Sequence, residues 1–253
     1  DTSGSMLTDL KLLAKNSQWR IVFVFNILLL TAVVTRGSAT MYYVNYVLLR
    51  PELVFAFIVS GMVASLSGAL LSERLLGKFD RVRAYQWTIM TFVIFGALIF
   101  FIPPSQVWLI FGLNIVFSFI QNLTTPLQWT MFSDVVDYEE HRSGRRLDGL
   151  VFSTALFAIK FGLALGGAVV GWVLGMVDYA PGQVTQAPHV LSTINALFTL
   201  IPCVLFLCMV ALLSIYKLNS RLVDSIAREL AGKRDVRPDA GKLSPATHSA
   251  IQE

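Results

Sequence analysis

The sequence predicts an all-α membrane protein with six transmembrane helices, and three observations carry that prediction. Of its 253 residues, 55% are hydrophobic and only 14% charged, where a soluble domain carries about 25% charged residues. Mean hydropathy is +0.65, so the chain has too few ionisable groups to clothe a water-facing shell. Six stretches, at 21–49, 53–76, 84–102, 107–132, 149–177 and 190–216, reach the length of about 20 mainly apolar residues that crosses roughly 30 Å of hydrocarbon. The same figures exclude a disordered chain. A net charge of +4 is too small to mark a nucleic-acid partner before its location is known.

The elements follow in order. Residues 1–20 form a lead-in where Leu7, Leu10 and Leu13 repeat on one helical face, the pattern of an amphipathic helix on a membrane surface. The chain opens Asp1-Thr2-Ser3-Gly4, with no Met, basic n-region or apolar h-region, which reads as a piece of a longer chain without a signal peptide. The six-helix bundle occupies 21–216. Its spans are separated alternately by short Pro- or Gly-containing turns, at 50–52, 102–105 and 178–188, and by charged loops at 73–83 and 134–148. Residues 217–231 form a second amphipathic helix through Leu218, Leu222, Ile226 and Leu230, and the polar tail 232–253, with Pro238 and Pro245, is expected to be disordered. Cys203 and Cys208 lie in an apolar run and are expected to be small core residues.

The basic residues report orientation. Three precede the first span, four lie in the second loop, three in the fourth and seven after the last span, whereas Arg50 stands alone on the other side. By the positive-inside rule both termini and both charged loops are cytoplasmic.

Two basic residues, Arg36 and Lys160, lie near the middle of predicted spans one and five. A charge at mid-membrane costs about 2.5–3.5 kcal/mol on insertion scales, so it is expected to face a cavity or a partner. None of the sixteen Asp and Glu residues falls near the middle of a predicted span, Glu73 lying where the end of span two meets the charged loop, so the counter-charge must come from another segment or from an anionic ligand. Thr40 and Tyr43 follow Arg36 on one helical stripe. In span four Asn114, Ser118, Gln121, Thr125 and Gln128 form an amide and hydroxyl face, suited to helix packing or to a sugar-like ligand. Pro126 interrupts that helix. Gly162, Gly166, Gly167, Gly171 and Gly175 give span five a small-residue surface for close helix approach. Asp134, Asp137, Glu139, Glu140 and His141 share their stretch with Arg142, Arg145 and Arg146. Mixed signs at that density favour salt bridges over a metal centre. No nucleophile elbow, phosphate loop or zinc motif occurs, so no catalytic residue is assigned and an enzyme is not expected.

The run DVVDYEEHRSGRRLDGLVFSTALFAIKFGLALGGAVVGWVLGMVDY resembles the loop between helices ten and eleven, and helix eleven, of the glycoside-pentoside-hexuronide cation symporters, the melibiose-carrier relatives within the major facilitator superfamily. It carries their pattern D-x-x-D-Y-x-E-x-x-x-G-x-R-x-x-G followed by an intramembrane lysine. The stretch TRGSATMYYVNYV is similar to the seventh helix of members associated with sulfonated sugars and glucuronides. The resemblance spans 10–230 and implies half of a twelve-helix major-facilitator fold: the carboxyl-terminal half, built of two inverted three-helix units. It implies an amino-terminal six-helix half as partner, a sugar or sugar-acid substrate, and Na⁺ or H⁺ coupling with the cation ligands in that other half. Beyond this coupling cation no cofactor or metal is implied. Lys160 matches the family's helix-eleven lysine, while Leu156, four residues earlier, stands where melibiose carriers have a hydroxyl residue.

The expected substrate-binding residues are therefore Arg36, Lys160, Tyr43, Asn114, Gln121, Thr125 and Gln128, and the expected gating residues of the charged loop are Asp134, Asp137, Arg142, Arg145 and Arg146. The expected setting is a bacterial inner membrane, with lipid around the bundle and no nucleic acid. Two other readings stay open at this point. One is a non-transporting six-helix protein that oligomerises through its glycine face or docks a partner, and the other is a membrane enzyme using Asp134, Asp137 and His141 with a metal.

Overall fold

A computed structural model describes residues 6–76, 79–183 and 185–235. The first helix, α1 (Met6–Ala14), leads into α2 (Ser17–Tyr42), which a π-helical turn, Tyr43–Val47, extends. After a 3₁₀ turn at Pro51–Leu53 come α3 (Val54–Leu76) and α4 (Arg81–Phe101). The fourth span is split into α5 (Val107–Leu123) and α6 (Thr125–Ser143), and the fifth is α7 (Asp148–Met176). The sixth is split into α8 (Pro188–Phe198) and α9 (Leu200–Ser214), and α10 (Ser220–Asp235) follows. Six helical stretches are long and apolar enough to cross a membrane, and no strand occurs among the described residues.

α2 is the central rod, packed along α7 and against α9 and α8, while α3 pairs with α5 and α4 with α9. Glycine explains the closest of these approaches. A Cβ on Gly162 would stand 2.8 Å from the Ile27 carbonyl oxygen, and one on Gly166 would stand 2.8 Å from that of Thr31. Two of the six glycines on α7 thus let two backbones touch. Gly167, Gly171 and Gly175 have no atom within 4 Å of the Cβ position and lie on the open side. Two apolar cores fill the bundle, one around Phe25, Tyr85, Phe92, Phe117, Phe132 and Phe206, the other around Tyr43, Phe57, Ile99, Ile110, Leu174 and Phe198.

Both split spans break beside a proline. Pro126 sits in the first turn of α6, and the Thr124 hydroxyl donates to the Gln121 carbonyl at 2.9 Å where the ladder fails. In the sixth span Pro202 has no N–H to give the carbonyl four residues earlier, that of Phe198. The chain parts at Thr199, whose hydroxyl donates to the Asn195 carbonyl at 2.6 Å.

Several expectations are corrected. The stretch 134–148, expected as a loop, is helical through Ser143, because arginines neutralise its acids and no helix breaker precedes Gly144. That glycine ends α6 in the left-handed region at φ 69°, which a side chain would disfavour. In the second amphipathic stretch α10 packs against α6, and the buried stripe is Leu218, Val223, Ile226 and Leu230 instead of the expected one through Leu222, which is exposed. In α1 only Leu13 is buried, and Leu7 and Leu10 are exposed. Cys203 is buried but Cys208 is exposed. α10 continues past 231 to Asp235, and the tail expected to be disordered lies, beyond that point, outside the described residues.

Capping joins the peripheral helices to the bundle. The Asn16 side chain accepts the N–H groups of Gln18 and Trp19 and starts α2. Asp80 accepts Arg83 N–H at 3.2 Å and Ser220 N–H at 3.1 Å, so one carboxylate caps α4 and holds the start of α10. Burial pulls the Asp80 carboxyl upward, but the N–H bonds from Arg83, Ser220 and Val82 outweigh it and leave the group below its ordinary range.

Candidate functional site

Arg36 lies on the central rod, 5% exposed, and its surroundings are neutral. Nη1 donates to the Phe198 carbonyl at 2.8 Å and Nη2 to Asn114 Oδ1 at 3.0 Å. The guanidinium also lies 3.9 Å from the ring centroid of Phe117 and 4.0 Å from that of Phe198, within the range of cation–π attraction. The backbone break supplies the first acceptor, since the carbonyl that Pro202 leaves unbonded is the one Arg36 takes. No acid pairs with Arg36 among the described residues.

This charge lines a cavity of about 580 Å³ between α2, α3 and α5, together with Thr40, Gly61, Ser65, Asn114, Ser118 and Gln121. The Thr40 hydroxyl donates to the Arg36 carbonyl at 2.9 Å, which leaves its oxygen free to accept. A second cavity of about 290 Å³ shares Val33, Gln121 and Asn122 with the first and extends past Thr125 and Gln128 to Trp129. Gln121 thus stands at the junction, and its amide has no hydrogen bond to another described group. Thr125 donates to Asn122 Oδ1 at 3.3 Å. Gln128 is more committed, for it donates to Asn26 Oδ1, and Asn26 in turn donates to the Val22 carbonyl at 2.8 Å.

The other expected residues lie elsewhere. Tyr43 shares the stripe of Arg36 and Thr40 but lines neither cavity. It is 1% exposed and stacked on Phe198, ring centroids 4.3 Å apart, so it supports the ring that covers Arg36. Lys160 is exposed on the open face of α7, near Phe157, Ala164 and Gly167, and also lines neither cavity. The two intramembrane cations therefore occupy different environments.

At the charged end the expected gating residues pair off. Arg81 grips both oxygens of Asp134 at 2.9 and 3.1 Å. Arg142 meets Glu139 at 3.0 Å and the Leu12 carbonyl at 3.0 Å, and Arg145 meets Asp9 at 2.6 Å. Arg146 bridges Asp137, Glu140 and Asp148 at 3.2, 2.8 and 2.7 Å. These bonds, with Glu140 foremost and burial opposing, hold the Arg146 guanidinium above its ordinary range. Glu139 is wholly buried and accepts Asn16 Nδ2 at 2.6 Å. The carboxylates from which a metal site could be drawn thus face arginines and an amide, and His141 faces Glu229 at 3.6 Å. Among the described residues no group of three or more His, Cys, Asp or Glu side chains is placed to hold a metal.

Sequence reasoning missed Phe198, Pro202 and Asn26. A signal existed for Pro202, because a proline inside an apolar helix frees a carbonyl one turn back. For Asn26 the signal was an amide inside the first span. Nothing in the residue letters points to the Phe198 carbonyl as the acceptor for Arg36.

Residues 1–220 match the protein family described as "MFS/sugar transport protein". "Putative glycoside/cation symporter YagG" of Escherichia coli (strain K12) is 51% identical over 237 residues, 94% of this chain and 52% of that protein. "Inner membrane symporter YicJ" of the same organism is 36% identical over 235 residues, 92% of this chain and 51% of that protein. "Glucuronide carrier protein homolog", also of that organism, is 24% identical over 239 residues, covering 92% of this chain and 51% of its own length. The chain spans about half the length of these curated relatives. Their names are those of transporters, not enzymes.

Proposed function

The chain belongs to the MFS/sugar transport protein family, and from that premise we propose that it forms the carboxyl-terminal half of a symporter. The substrate is a sugar, glycoside or sugar acid, coupled to Na⁺ or H⁺, and the carrier works by alternating access between two bundles. The observation that carries this reading is a guanidinium without an acid partner inside a transmembrane bundle, lining a cavity whose other polar groups are amides and hydroxyls. Such a wall suits a ligand rich in oxygen.

In this reading Arg36, Asn114, Gln121, Thr125 and Gln128 meet the substrate and Tyr43 supports that wall. Lys160 faces the amino-terminal six-helix half across the open side of α7. No acid lines either cavity, so in this reading the ligands of the coupling cation belong to that other half. The names of the relatives and the distribution of basic residues favour a bacterial inner membrane with both termini in the cytoplasm.

Uptake of labelled sugars by cells making the complete carrier tests the proposal. Arg36→Ala and Lys160→Ala should each lower accumulation about tenfold or more. Normal accumulation by both variants overturns it.

A further inference from the structure

Arg36 determines which end of Asn114 the larger cavity sees. Asn114, 6% exposed, accepts the Nη2 donor through Oδ1 at 3.0 Å. The flipped amide would set N–H against N–H, so the guanidinium locks the orientation. Nδ2 is thereby turned toward α3, where it would stand 3.8 Å from a Cβ placed on Gly61. Both residues line the cavity.

Arginine carries five N–H donors and no acceptor. The bonds to Phe198 and Asn114 use one on each terminal nitrogen, leaving others on a side chain that borders the cavity. The carbonyl left free by Pro202 and the two flanking rings fix the guanidinium in place. The cavity lining contains no acid and no second cation. Its Arg36 end therefore offers donors and an uncompensated positive charge. A neutral hydroxyl can accept from these donors but leaves the charge uncompensated. A carboxylate or sulfonate accepts from several donors at once and supplies the missing charge.

We infer that Arg36 and Asn114 form an anion seat, in which the acidic group of a sugar acid rests against the guanidinium and Asn114 Nδ2, so that the cavity prefers a sugar acid to its neutral counterpart. The inference rests on the reading of the chain as part of a carbohydrate carrier, and adds to it a substrate class and a specificity-determining role for Asn114.

The test is ligand titration of the complete purified carrier, followed by thermal stabilisation. The probes are matched pairs: methyl glucuronide against methyl glucoside, methyl galacturonide against methyl galactoside. In at least one pair the acid should bind about tenfold or more tightly than its neutral partner, as charge-assisted hydrogen bonds require. In Asn114→Asp the new carboxylate pairs with Arg36 internally, and the ratio should fall to near one. Arg36→Lys keeps the charge without the fork and should lower the ratio in part. The ratio compares two ligands on one protein, so a general loss of stability does not move it. Equal binding of both members of every pair, or a preference unaltered by Asn114→Asp, overturns the seat and leaves the carbohydrate reading standing. A folded wild-type carrier that binds no probe of either kind overturns both.

Discussion

Arg36 and Lys160 are alike in the sequence, each a lone cation deep in an apolar span, and opposite in the structure. Arg36 is enclosed by a carbonyl, an amide oxygen and two aromatic faces, so the bundle itself satisfies much of its bonding and leaves only its charge unbalanced. Lys160 lies exposed on α7 with Phe157 and the open glycines. One charge is built into this chain, and the other is left for whatever covers that face. The same residue class thus meets an enclosed setting in one place and an open face in the other, and burial distinguishes them where hydropathy cannot.

The largest effect that can sharpen this contrast comes from the two kinds of glycine on α7. Gly166→Leu must push apart two backbones already in contact and should destabilise the protein by about 3 kcal/mol or more. Gly171→Leu, on the open side, should change the thermal midpoint of the isolated chain little; equal midpoints for the two would break the contrast. Next in size, Arg36→Ala leaves the Phe198 carbonyl and Asn114 without their donor and should cost about 2–4 kcal/mol. Lys160→Ala should stay within about 0.5 kcal/mol, and denaturant titration in detergent compares them. Smaller is Pro202→Ala, which restores an N–H that competes for the Phe198 carbonyl and should change stability by about 1 kcal/mol. Its diagnostic sign is faster modification of Arg36 by an arginine-selective dicarbonyl, and an unchanged rate would remove Pro202 from the account of Arg36.

The smallest effect concerns Asp80. A carboxyl held below its ordinary range contributes stability at higher pH that is lost as pH falls through its folded value. α10 should therefore loosen as pH drops below about 3.8, the ordinary value, and Asp80→Asn should flatten that dependence. Hydrogen exchange across Ser220 and its neighbours reads the loosening; acid protection equal in both proteins would count against the cap.

Six spans were legible because composition and length decide what crosses a bilayer. The mid-helix positions of Arg36 and Lys160 were legible for the same reason. Their surroundings were not, since the groups that enclose Arg36 come from 78 and 162 residues away in sequence, and one of them is a backbone oxygen. Tyr43 shows the limit of a helical stripe: shared direction on α2 placed it beside Phe198, not in the cavity. The helical course of 134–143 was hidden because dense mixed charge reads as a loop, whereas Arg81 and Arg146, reaching in from outside the helix, make it compatible with one. In α10 the inward stripe runs through Val223, one position from the expected Leu222 and about a quarter-turn around the helix.

The two interrupted spans bear on mechanical compliance. An unbroken helix resists bending because every turn is tied to the next, but at Thr124 and Thr199 the ladder is interrupted: the Thr124 hydroxyl donates to the Gln121 carbonyl, Thr199 gives both its N–H and its hydroxyl to the Asn195 carbonyl, and the Phe198 carbonyl goes to Arg36. Each of these spans is a jointed rod whose articulation can flex without stranding its carbonyls in an apolar medium. Thr124 borders the smaller cavity, and Thr199 directly follows the carbonyl that holds Arg36. The walls of both cavities thus include or adjoin an interrupted helix, where bending breaks fewer hydrogen bonds than in a continuous one.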